Sequence, residues 1–61
     1  MKKVEIGKTY ENTASDYRLI TPISYNEVSN TYTCKVEEPT EYENVWNTYE
    51  AELTAYDITR G

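Results

Sequence analysis

Two runs of alternating side chains, Asp16 to Tyr25 and Thr31 to Glu38, flank the turn-forming residues Asn26-Glu27-Val28-Ser29-Asn30, and this arrangement commits the middle of the chain to an antiparallel hairpin. In the first run Tyr17, Leu19, Thr21, Ile23 and Tyr25 share one face, and Arg18, Ile20, Pro22 and Ser24 take the other. Pro22 has no N–H for a ladder, so its position is expected at a sheet edge, a bulge or a bend. The second run places Tyr32, Cys34 and Val36 inward and Thr31, Thr33, Lys35 and Glu37 outward, and Pro39 ends it. With no glycine in the connection, Asn30 is the residue expected to adopt a left-handed conformation.

Before the hairpin, Lys3 to Asn12 reads as a first strand with a bulge or bend at Gly7, and Asn12-Thr13-Ala14-Ser15-Asp16 reads as the loop that follows. After it, the segment from Thr40 to Ile58 supports two readings. Tyr42, Trp46, Tyr49, Leu53 and Tyr56 fall on one helical stripe, and Thr40 with Glu43 matches a capping box. Against a helix stands the run Tyr42 to Tyr49, rich in residues that favour strands. The strand reading makes Tyr42 to Glu50 a fourth strand, Ala51 to Asp57 a helical turn and Ile58 a short closing strand.

Core material is scarce in 61 residues, because a chain this short hides only about 60% of its unfolded surface. The aliphatic candidates are Val4, Ile6, Leu19, Ile20, Ile23, Val28, Val36, Val45, Leu53 and Ile58. There are 7 tyrosines and no phenylalanine, so the aromatic rings carry polar handles and are expected at the rim of the core. Trp46, the largest apolar group, reads either as an interface anchor or, in preference, as a core residue, where its truncation costs about 3–5 kcal/mol if it is fully buried. Cys34 is the single cysteine and there is no histidine, which removes a disulfide framework, the usual zinc ligand sets and nucleophile arrangements built on histidine. Cys34 reads as a small core residue.

The run Ile6-Gly7-Lys8-Thr9-Tyr10, the curled second strand, the hairpin and the late Trp46-x-x-Tyr49-x-Ala51-x-Leu53 followed by a turn together resemble the small SH3-like barrels found among phage and prophage proteins. The resemblance implies a single all-β domain over residues 1–61, a partly open SH3-like barrel of four to five antiparallel strands. A three-stranded antiparallel sheet with a C-terminal helix is the α+β alternative. The resemblance has no diagnostic motif and carries no functional residues with it.

Charge is distributed unevenly. Residues 1–35 hold five bases against four acids, a formal +1, while residues 36–61 hold seven acids against one base, a formal −6. The glycines are Gly7 and Gly61 alone, so a glycine-rich phosphate loop is excluded, and no basic patch is present to neutralise a nucleic-acid backbone. Glu37 with Glu38, and Glu41 with Glu43, are pairs of carboxylates without a cleft to separate their pKa values, and the acidic run does not have calcium-loop spacing.

The expected function is therefore non-catalytic, with no cofactor and no metal: a protein-binding module whose acidic, tyrosine-rich face meets a basic protein surface. The contact residues expected are Glu41, Tyr42, Glu43, Glu50 and Glu52. Basic grooves occur chiefly on nucleic-acid-binding enzymes, so carboxylates standing in for phosphates, as a DNA mimic does, would inhibit such a host protein. With the phage-type resemblance this points to an anti-defence inhibitor of a defence nuclease, of the anti-CRISPR kind. The alternative is a structural or adaptor module docking a host or virion protein through apolar contacts. Neither reading involves direct nucleic-acid binding or a membrane. A homodimer through an exposed strand is a further expectation, and the expected location is the cytoplasm, that of a bacterial host if the chain is phage-encoded.

Overall fold

The computed structural model describes residues 4–13 and 17–59. Its frame is one antiparallel sheet of four strands in the order β1-β2-β3-β4: β1 is Tyr10–Asn12, β2 is Arg18–Asn26, β3 is Thr31–Pro39 and β4 is Trp46–Leu53. One short helix, α1 (Ala55–Thr59), follows directly. The chain is thus mostly β, with four antiparallel strands in an open sheet, and the three-stranded alternative is set aside.

The central hairpin forms as its alternation requires. Asn30 adopts φ 58°, and the Asn26 side chain accepts the Val28 N–H at 3.0 Å, which fixes the turn between β2 and β3. Pro22 lies opposite Cys34, and the register then shifts between Pro22 and Ser24, leaving Ile23 as a bulge. The missing N–H of Pro22 is tolerated at this irregularity, and its carbonyl accepts the Gly7 N–H at 2.8 Å. The extra residue also changes which face the rest of β2 presents. Tyr25 now lies opposite Tyr32, on the Cys34 face, where the two rings pack with centroids 4.7 Å apart.

The buried centre consists of Val4, Ile20, Cys34, Val36 and Ile58, with Tyr10, Tyr32, Ala51, Leu53 and Ala55 half-buried around it. Register explains the selection. Residues directly opposite in an antiparallel pair point to the same side, so Ile20, Val36 and Tyr49 share a side, as do Pro22, Cys34 and Ala51. The helix covers this side with Ile58, and buried Asn12 donates from Nδ2 to the Asp57 carbonyl at 2.5 Å, tying β1 to α1. Tyr10 and Tyr32 lie at the rim as composition leads one to expect, whereas Tyr17, Tyr25, Tyr42, Tyr49 and Tyr56 are exposed.

Several boundaries differ from the sequence reading. The first strand is limited to Tyr10–Asn12; ahead of it the chain bends at Gly7, which has φ +88°. The expected first loop extends over 14–16, outside the described residues. In the C-terminal part the strand reading holds over the helical one, but β4 begins at Trp46, and Ile58 belongs to α1 instead of a closing strand. The helical stripe fails because β3 offers β4 eight consecutive partners, from Pro39 opposite Trp46 to Tyr32 opposite Leu53. Thr40 does not cap a helix. It closes the β3–β4 loop, donating from Oγ1 to the Val45 carbonyl at 2.8 Å and accepting the Tyr42 N–H at 3.2 Å, while Asn44 takes φ 65°. The true cap is Thr54, whose Oγ1 accepts the Asp57 N–H at 3.2 Å.

Trp46 is the largest departure. It is 42% exposed and outside the core. Pairing with Pro39 puts it out of phase with Ala51 and Leu53, so it stands on the sheet side away from α1.

Candidate binding face

The side of the sheet away from α1 can be read row by row from the strand register. Glu11, Leu19, Glu37 and Thr48 lie across all four strands in one row. The next row is Thr21, Lys35 and Glu50, and beyond the bulge Ser24, Thr33 and Glu52 form another. At the opposite end Trp46 lies beside Pro39, and its ring meets Tyr17 edge to face with centroids 6.2 Å apart. Among the described strand residues this face therefore carries four carboxylates against one lysine, with an aromatic pair at one end.

Lys35 and Glu50 are directly opposite, so part of the charge is balanced locally. Glu52 has Thr33 as its directly opposite partner and Glu37 has Leu19 and Thr48, so neither carboxylate has a base directly opposite it. Trp46, Thr48, Glu50 and Glu52 are all exposed. No base occurs in β4.

The five residues singled out in the sequence fall into two groups. Glu50 and Glu52 stand on the open face of β4. Glu41, Tyr42 and Glu43 are exposed in the β3–β4 loop, where Thr40 and the Val45 N–H to Tyr42 C=O bond of 3.2 Å hold the turn. From Trp46 at the loop end to Glu52 the strand runs six residue steps, about 20 Å at the usual rise. The loop group and the strand group are therefore neighbours of the Trp46 end and the far end respectively, joined by the same strand. Glu11, Glu37 and Tyr17 complete the face and were not among the contact residues expected. Glu37 was legible as an outward position of its strand, whereas Glu11 and Tyr17 join only through the pairing of β1 with β2 and the approach of Tyr17 to Trp46.

The core side has its own polar group at one end. The Tyr49 hydroxyl donates to Glu38 Oε1 at 2.7 Å. That bond, followed by burial and the charge of Glu38, pushes the phenol above its ordinary range, while a hydrogen bond from Arg18 and its positive charge act in the opposite direction. The thiol of buried Cys34 is also pushed up, by desolvation, and it points to the Tyr32 carbonyl at 3.4 Å. Among the described residues no group of three or more His, Cys, Asp or Glu side chains is placed to hold a metal ion. None of the described helices is long and apolar enough to cross a membrane.

The fold and this face define a small antiparallel-sheet domain with one helix-covered side and one open, acidic side. No protein-family model matches the chain, and comparisons with curated proteins and with solved structures likewise give no match.

Proposed function

We propose that this chain is a non-catalytic binding module that presents the open side of its sheet to a basic protein surface. The observation that supports this reading is the segregation across the sheet: among the described strand residues Glu11, Glu37, Glu50 and Glu52 share the uncovered side with Lys35 as the one base and with the Tyr17–Trp46 pair. Carboxylates steer the encounter and aromatic rings supply anchoring area. A basic partner of this kind is a protein that holds nucleic acid, and occupying its groove would inhibit it, as an anti-defence protein of phage origin does.

The test uses a tagged chain, a cell lysate and two salt concentrations, followed by affinity measurement on the purified partner. Binding that weakens steeply with salt, is displaced by nucleic acid and is lost on reversing Glu37, Glu50 and Glu52 to lysine supports the proposal. Affinity unchanged by those reversals in a folded variant sinks it.

A further inference from the structure

Strand order leaves β4 at the end of the sheet, with its second edge unpaired among the described residues. It is 8 residues long, against 3 for β1 at the other end. Its register with β3 runs without a shift from Leu53 to Trp46, so a regular series of backbone N–H and C=O groups faces outward. Proteins usually blunt such an edge with lysine, proline, a bulge or shortness. β4 contains no lysine, proline or glycine, and its regular register includes no bulge.

The charges on this strand are Glu50 and Glu52, both on the open side. They select among the strands that can add. In a second copy paired antiparallel about Glu50, that carboxylate meets itself, and about Ala51 it meets Glu52; both arrangements place like charges opposite each other. Any other register still brings together two chains of net charge −5. An acidic strand is repelled for the same reason, and a basic one is attracted.

We propose that the outer edge of β4 takes an extended basic segment of the partner as a fifth strand. This rests on the basic-partner reading above and adds the binding mode. In antiparallel addition the residues opposite Glu52 and Glu50 are two apart and lie on the open side, and the one opposite Trp46 comes four residues later. The segment recognised thus has bases at its first and third positions and an apolar residue at its seventh.

The experiment is amide NMR on the full chain with the capped peptide Lys-Val-Arg-Val-Thr-Val-Ile, its Glu-Val-Glu-Val-Thr-Val-Ile counterpart, and two N-methylated forms of the basic peptide, methylated at odd or at even positions. Strand addition requires saturable shifts along β4 with the basic peptide, binding about tenfold weaker for the acidic one, and loss of binding for one methylated form only, because only alternate amides face β4. Equal binding of both methylated forms overturns edge pairing while leaving the acidic-face reading intact. No preference for the basic peptide removes the charge basis of both. No saturation at millimolar peptide overturns the proposal, as does a peptide-free dimer in which the outward amides of β4 are already protected.

Discussion

Tyr17 and Trp46 meet edge to face, with ring centroids 6.2 Å apart and planes inclined by 69°, on the side of the sheet that the helix leaves open. The contact joins the approach to β2 with the start of β4 across Pro39, and it uses aromatic area outside the core. Replacing Trp46 by alanine removes this edge contact and the area that the partly exposed ring still buries. The expected loss is about 2–3 kcal/mol, below the roughly 3–5 of a fully buried tryptophan. Urea unfolding of Trp46→Ala, followed by circular dichroism, measures it; a loss of the larger size would place the ring in the core.

Ile20 is fully buried in the centre of the cluster, opposite both Tyr10 and Val36. Ile20→Ala should cost about 2–5 kcal/mol. In a domain this small that is most of the available stability, so the variant is expected to be largely unfolded at 25 °C, as read from its amide NMR dispersion.

Asn12 is 1% exposed and donates to the Asp57 carbonyl across the gap between β1 and α1. Asn12→Ala leaves that bond unmade and is expected to cost about 1–3 kcal/mol. Hydrogen exchange should speed first in α1, since this bond helps to anchor the helix over the core. Uniform acceleration through all strands would indicate that the helix and sheet open together.

The raised pKa of Tyr49 makes stability fall with alkali. Its ordinary value is 10.0, and the hydroxyl's bond to Glu38 lifts the folded value. Below pH 10 the bond contributes in full. As the pH rises through the raised folded value, the unfolded chain has already released the proton and the contribution is lost. Tyr49→Phe should therefore be less stable than the parent below pH 10 and show a shallower decline above it. Parallel stability–pH curves for the two proteins would contradict this.

Cys34 is fully buried and its thiol is pushed up by desolvation. Reaction with a disulfide reagent should be slow in the folded protein and rapid in denaturant, because thiolate is both scarce and enclosed. Fast labelling in native buffer would mean that the β3–β4 region opens readily.

By itself the amino-acid order determined the hairpin of β2 and β3, the left-handed Asn30, the inward set Tyr32, Cys34 and Val36, and the end of β3 at Pro39, whereas of the tyrosines expected at the rim only Tyr10 and Tyr32 lie there. The hairpin features follow from local alternation, turn chemistry and the limited apolar content of the chain. Only the tertiary structure decided the course of Thr40 to Ile58, where a helical stripe and strand-forming composition competed. Eight partners on β3 settled it for β4. The parity of that pairing then placed Ala51 and Leu53 toward the helix and Trp46, Glu50 and Glu52 away from it. A one-residue change of register exchanges the two faces of a strand, so the composition of the open side depended on long-range pairing and on the Ile23 bulge, and local sequence could not assign it.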